Sequence, residues 1–394
     1  MNVNKILQNA IVFGLLSSLV LPYFSFFGFG LYLTTIMSFF LFLSVFLYEV
    51  KIDRFTILIF LICFCVFLST IYSSAFGTAS DDYRNYIEIV KYFQFIPYLV
   101  LLNSINRKGI DKIVISQIIL SSYLYVIVFL LQLINPGNIG YIISAFYLGG
   151  DSSHLVGIDS GQRLPITGSN PNSGAVIGCF YVFFYITCIL ESKRVLYFIM
   201  LALITLSVVM TQSRTTLVGL AFCIVIFILL SKASLKFKSS VVLLIPVIIF
   251  FIYNYLNLDY IKYGIQYLLE GNNNSVNVRL DTFQVAKEAF LKSPWLGVGP
   301  SKDEFGSTLD SEYVLIFMRY GIIGCFVFLL FIINLLWIAL KNISSSSGLI
   351  LFLYTILTLV VMLTNNAYSG YQLMSITIIL LVWLKVDIEK KVYV

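Results

Sequence analysis

The chain has 394 residues, 59% of them hydrophobic and only 11% charged, with a mean hydropathy of +0.95. Lipid, rather than a water-excluded core, is therefore the expected solvent for most of it. The formal net charge of +6 would suggest an anionic partner in a soluble protein. Here most of the excess falls in short connectors between apolar runs, where it reads as a topology signal and implies no nucleic acid.

A transmembrane helix needs about 20 mostly apolar residues. Twelve such stretches follow one another at 6–23, 28–48, 55–74, 85–103, 113–134, 173–190, 195–210, 216–231, 239–256, 312–340, 348–364 and 371–385. The expectation is an all-α polytopic membrane protein forming a single transmembrane domain over 1–394. The first stretch follows Lys5 without a small-x-small cleavage site and is expected to stay as an uncleaved helix. Pro22 divides the first two spans, and Pro97 and Pro246, lying within spans, predict kinks. All six cysteines fall inside apolar runs without CxxC spacing, so packing is their expected role.

One set of alternate connectors holds Lys5, Lys51, Arg54, Arg107, Lys108, Lys112, Lys193, Arg194, Lys232, Lys236, Lys238, Lys341, Lys385, Lys390 and Lys391, mostly lysines. By the positive-inside rule this face is cytoplasmic, with both termini on it. The opposite face carries two long external loops, 135–172 and 257–311. It is relatively rich in arginine: Arg84, Arg163, Arg214, Arg279 and Arg319. A guanidinium binds phosphate oxygens through a planar fork, so these arginines point to a phosphate ligand on the external side. A six-plus-six internal repeat is not evident, which weighs against an inverted-repeat transporter.

Several stretches could carry chemistry. In "MTQSRTTLVGL" (210–220) Arg214 stands at the outer edge between two spans. There it can meet the headgroup of a membrane-borne substrate or simply snorkel to lipid phosphate. "NVRLDTFQVAKEAFLKSPWLGVGP" (277–300) spaces Leu280, Phe283, Ala286, Ala289 and Phe290 as one apolar helix face, and Pro294 stops the helix. It would lie on the membrane or lid a cavity. The Gly297, Gly299, Pro300 turn after it is either an anion nest or plain loop structure.

In "LDSEYVLIFMRYGIIG" (309–324) the seven-residue spacing puts Glu312 and Arg319 on one helix face, Arg319 about 10 Å deeper at roughly 1.5 Å per residue. An arginine that deep needs a watery cavity or a partner, and an internal Glu312–Arg319 pair is the plain alternative. Arg84, Glu88 and Lys91 draw a polar stripe on the fourth span, with Gln94 beside it. His154, the only histidine, has no cluster of ligand residues around it, so it is expected to be an ordinary surface residue and no metal is implied. "LPITGSNPNSGAV" (164–176) is rich in turn formers, and its asparagines either bind sugar hydroxyls or cap the following helix.

In order and spacing, "TGSNPNSGA", "TQSRTTLVGL", "VRLDTFQVAKEAFLKSPWLGVGP" and "DSEYVLIFMRYGIIG" resemble the O-antigen polymerase and O-antigen ligase superfamily of bacterial cell-envelope glycosyltransferases. The resemblance covers residues 160 to 340, and beyond them rests on helix count. It implies a GT-C-like helical membrane fold, metal- and cofactor-independent, at the external face of the bacterial inner membrane. The implied donor and acceptor are undecaprenyl-pyrophosphate-linked oligosaccharides, as for O-antigen or capsule, with a chain-length regulator as a further partner. Arg214 and Arg279 fall on the arginines that the family associates with the pyrophosphate. Arg319, Arg84 and Arg163 would extend the positive surface.

In ligases a histidine stands eleven residues before the glycine that falls here on Gly321, and here that residue is Asp310. The departure favours a polymerase, leaving the base open between Asp310 and Glu312. Phe283 stands where a tryptophan is frequent. The alternatives are a ligase-type glycan transferase and, from a different class, a flippase or transporter of lipid-linked sugars.

Overall fold

The computed structural model describes residues 3–26, 29–77, 82–148, 163–231, 274–301 and 310–392, with the isolated positions Leu155, Ile158, Lys262, Tyr263 and Gln266. The ninth expected span with Pro246, and His154, lie outside the described residues. In chain order come α1 (Val3–Val20), the strands β1 (Phe24–Phe26) and β2 (Phe29–Leu31), then α2 (Leu33–Val45), α3 (Arg54–Phe76) and α4 (Tyr83–Ile87). They are followed by α5 (Val90–Phe93), α6 (Ile96–Ser104), α7 (Ile110–Ile134) and α8 (Ile139–Leu148). Then come α9 (Pro171–Glu191), α10 (Val195–Met210), α11 (Arg214–Leu230), α12 (Asn274–Lys292), α13 (Glu312–Lys341), α14 (Ser346–Val361) and α15 (Tyr371–Val392).

Among the described residues five helices are long and apolar enough to cross a membrane: α3, α7, α9, α13 and the Tyr371–Lys390 part of α15. Shorter apolar helices, α1, α2, α10, α11 and α14, fall on further expected spans. Two expected stretches depart from a plain helix. The start of the second is an antiparallel hairpin pairing Phe24 with Leu31, built from β-prone aromatics just after Pro22. The fourth runs through α4, α5 and α6, whose junctions at 88–89 and 94–95 keep right-handed helical backbone with tighter i→i+3 bonds, and Pro97 sits in the first turn of α6. There its missing N–H leaves no bond unmade, so it starts a helix instead of kinking one.

Large apolar side chains face outward along these helices, including Phe39 (62% exposed), Phe60 (55%), Phe326 (59%) and Trp337 (54%). A soluble fold does not leave such a surface bare. It is a lipid-facing surface, and the chain is a helical multi-pass membrane protein. Near the end of α13 the Lys341 ammonium lies 4.7 Å from the Trp337 ring centroid, an arrangement suited to a membrane interface.

Residues 1–119 and 274–394 make one compact unit and residues 120–273 another. In the first, α13 packs on α3, α12 and α14, while α1 packs on α2 and α15, α14 on α15, and α2 on α6. Hydrogen bonds to main-chain oxygens fasten three of these helices together. The Tyr98 hydroxyl donates to the Thr34 carbonyl at 2.8 Å, and the Thr34 hydroxyl donates to the Gly14 carbonyl at 2.7 Å. A methyl at Gly14 would lie 2.5 Å from the Tyr98 hydroxyl, so the small residue permits the approach.

At the start of α3, burial alone would raise the Asp53 carboxyl. The Lys385 ammonium 2.6 Å away and the bonds from Thr56 outweigh it and hold the carboxyl below its ordinary value. The stability this contributes is present above the unfolded pKa and is lost as pH falls through the folded one.

In the second unit α9 packs along α10 and against α11. The buried Tyr125 hydroxyl accepts from Ser207 at 3.2 Å and donates to the Gly174 carbonyl at 3.0 Å. The turn-rich stretch 164–170 delivers the chain to α9. Asn170 is the N-cap, its Oδ1 accepting the Ser173 N–H at 2.8 Å, and Pro171 is the first helical residue. Of the two roles open to these asparagines, Asn170 takes the cap. Asn170→Ala is therefore expected to cost about 1 kcal/mol, read as a lowered Tm in detergent. An unchanged Tm would assign the start of α9 to Pro171 alone.

Candidate functional site

The tenth span is not a continuous helix. Within α13, Gly321 has φ +61° and ψ −161°, a region open essentially to glycine. Unwound backbone at membrane depth must find partners inside the protein, and the turn after α12 supplies them. The Val298 and Gly299 N–H groups donate to the Met318 and Arg319 carbonyls, each at 3.0 Å. In return the Ile322 and Ile323 N–H groups donate to the Pro294 and Trp295 carbonyls at 2.9 and 3.2 Å.

Gly297 and Gly299, at φ +73° and +74°, make the bend. The Gly297 N–H is used within the turn, on the Ser293 carbonyl at 2.8 Å. These amides thus splice the loop into the span, which is the structural role among the two considered for them. A Cβ on residue 321 would stand 2.5 Å from the Trp295 carbonyl oxygen. Gly321→Val, which adds that overlap to a forbidden backbone conformation, is expected to cost about 3 kcal/mol or more. The readout is folded yield and Tm in detergent, and a variant as stable as the parent would contradict the break.

Two residues before Gly321, the buried Arg319 places Nη1 3.7 Å from Glu88 Oε1. Glu88, also buried, sits in the gap between α4 and α5 and takes the Lys91 ammonium at 2.9 Å. Gln94 follows on the same segment, accepting from the Thr35 hydroxyl at 2.6 Å and donating to the Lys91 carbonyl at 3.0 Å. The Ser69 hydroxyl donates to the Arg319 carbonyl at 2.5 Å. The buried hydroxyls of Tyr92 and Tyr320 lie within electrostatic reach of Glu88, Arg319 and Glu312. A cluster of charges and phenols thus occupies the interior where an arginine seven residues into a span requires partners.

Glu312 takes a different partner from the one its spacing offers. It is fully buried and its two oxygens accept the N–H groups of Ala367, Tyr368 and Ser369 at 2.7, 2.9 and 2.5 Å. It thereby pins the connector between α14 and α15. Asp310, two residues earlier, is exposed. Arg84 is exposed and pairs with Asp82, the cap of α4. The polar stripe on the fourth span is thus assembled at Glu88 and Lys91.

In the unit of residues 120–273, the backbone beside Arg163 is tied to the end of α10, four residues before Arg214. The Leu164 N–H donates to the Met210 carbonyl at 3.2 Å, just before the turn that leads to Arg214 at the first position of α11. Gln132 holds that segment from α7, bonding both the N–H and the carbonyl of Ile166 at 2.8 and 2.9 Å. Arg279 lies on α12, and its side chain is outside the described residues. The expected apolar face of α12 is used in two ways. Ala286 and Ala289 are buried with Val298, Leu315 and Met318, and Phe290 stacks on Phe317 at 3.9 Å. Leu280 and Phe283 remain half open, lining with Tyr313 and Phe317 an apolar groove of about 680 Å³.

The structure links Glu88 and Lys91 of the polar stripe to Arg319 and adds Tyr92 and Tyr320. Sequence reasoning missed these two, since buried tyrosines carry no mark of a polar neighbourhood.

An interrupted span, a loop helix clipped to it and a buried charge cluster mark a helical membrane protein with polar side chains buried among its spans. Residues 196–329 match the family described as O-antigen ligase, which supports the O-antigen polymerase and ligase superfamily. That supports a function of the polymerase or ligase type. The match takes in Arg214, Arg279, Asp310, Glu312 and Arg319, and leaves Arg84 and Arg163 outside. No curated protein matches the chain.

Proposed function

We propose that the protein is a polysaccharide polymerase of GT-C-like fold in the bacterial inner membrane. Both termini are cytoplasmic, and it joins undecaprenyl-pyrophosphate-linked oligosaccharide repeats at the external face. A sugar hydroxyl on one lipid-linked repeat attacks the anomeric carbon of the chain carried by a second lipid. A carbon–oxygen glycosidic bond forms, the bond from that carbon to the phosphate oxygen breaks, and undecaprenyl pyrophosphate leaves with the electron pair. The hydroxyl proton passes to a carboxylate. The leaving group is already activated, so arginines that neutralise its charge supply most of what the step needs.

In this reading Arg214 and Arg279 hold the pyrophosphate, and Arg319, Arg84 and Arg163 extend the positive surface. Asp310 is the base, because both Glu312 oxygens are committed to backbone amides. The observation that carries the reading is that the family match takes in all three stretches with Arg214, Arg279 and Asp310, with an aspartate where ligases place histidine. A ligase, the activity in the family's description, is the second reading.

The deciding experiment incubates purified protein with a defined lipid-linked repeat unit and analyses the products by mass. A ladder of repeat numbers is expected. A single transfer of finished glycan to another acceptor would make it a ligase, and no new bond in the absence of a gradient would make it a transporter.

A further inference from the structure

The unit formed by residues 1–119 and 274–394 has a second built cavity, at the lysine-rich ends of its helices and independent of the glycan chemistry. Its volume is about 820 Å³, and its walls include Lys51, Asn103, Arg107, Lys108, Glu389 and Lys390. The connector between α6 and α7 that forms one wall is held from within. Gln8 Nε2 donates to the Asn106 carbonyl at 2.6 Å, and Asn106 Oδ1 accepts the Lys108 N–H at 2.9 Å. Arg107 is fully engaged, donating to the Leu102 carbonyl at 2.8 Å, to Asn103 Oδ1 at 2.9 Å and to Glu389 at 2.6 Å.

The acids are used up in the same way. Glu389 is matched by Arg107, Lys390 takes Asp111 at 2.6 Å, and Lys385 beneath takes Asp53 at 2.6 Å. That leaves Lys51 and Lys108. Both are exposed, both line the cavity, and neither has an ion-pair partner among the described residues. Two uncompensated ammonium groups over a fixed, hydrogen-bonded wall suit a phosphate-bearing anion. The residues flanking Lys51 say where it comes from: Val50 and Ile52 are exposed, at 52% and 62%, as suits a segment resting on lipid.

We propose that this cavity binds the phosphate headgroup of an anionic phospholipid of the surrounding leaflet, with Lys51 and Lys108 on its phosphate oxygens. The chemistry is that of basic pockets between membrane helices on the lysine-rich side.

The test titrates full-length protein in detergent with phosphatidylglycerol, cardiolipin or phosphatidylcholine and counts retained lipid by native mass spectrometry. The anionic lipids are expected to be retained selectively. Lys51→Gln and Lys108→Gln should each weaken retention about fivefold and the double variant about thirtyfold. Both side chains are exposed and have no ion-pair partner among the described residues, so the variants should unfold at the parent's Tm. Equal retention of phosphatidylcholine, or undiminished binding of phosphatidylglycerol by the double variant, overturns the proposal. In a parallel arm inorganic phosphate replaces lipid. If it raises the parent's Tm as much as phosphatidylglycerol at equal concentration, the site is one for a soluble anion and the lipid assignment falls.

Discussion

Alanine at Arg214 or at Arg279 is expected to abolish long-chain polymer while the protein stays in the membrane at its normal level. A diphosphate leaving group gathers charge as its bond to the sugar breaks, and each guanidinium contact to it strengthens in the transition state. Removing one preorganised donor of this kind slows catalysis by about 10²–10³-fold. A chain built by many successive transfers amplifies that loss, since every added block repeats the slowed step. Lysine should rescue weakly at either position, because an ammonium supplies charge without the planar fork. The readout is the length distribution of glycan in cells carrying each variant, with protein quantified in the same membranes. Normal chain length in either variant would remove that arginine from the site.

The second large effect separates two neighbouring carboxylates. Asp310→Asn is expected to lower turnover by about 10²–10⁴-fold, the usual contribution of a positioned base, with normal folded yield, since Asp310 is exposed. Glu312→Gln should do the reverse. Its carboxylate accepts three backbone N–H groups in a buried position. An amide there loses the charge assistance and turns an NH₂ group toward donors. The expected result is reduced yield and Tm with near-normal turnover per folded molecule. The opposite pattern would transfer the base to Glu312.

What the sequence made legible follows the range over which each signal acts. Most spans could be read because hydropathy is a local property of about 20 residues. The helix stopped by Pro294 and the cap at Asn170 could be read because both are set within one turn of chain. The division of the fourth span could not. Its run from Arg84 to Leu102 is apolar enough to suggest one regular helix, and the tightened turns at 88–89 and 94–95 fall where Glu88 meets Arg319 and Gln94 meets Thr35. Those partners lie far away along the chain. The same holds for Glu312, whose amides belong to residues 367–369, and whose helical spacing to Arg319 suggested a nearer partner. Gly321 was hidden for another reason. A glycine inside an apolar run is compatible with a straight helix, and only the arrival of the 294–299 turn shows why the chain unwinds there.

That splice also fixes what can be moved independently. Since peptide groups from 294–299 complete the bonding of a membrane span, lifting the loop helix away would take the loop partners from the Met318 carbonyl and the Ile322 and Ile323 N–H groups and leave the Arg319 carbonyl to the Ser69 hydroxyl. Loop and span therefore behave as a single mechanical part. A chimera that exchanges substrate preference by transplanting the late loop has to carry the segment through Ile323 with it, or the recipient span will unravel at the graft.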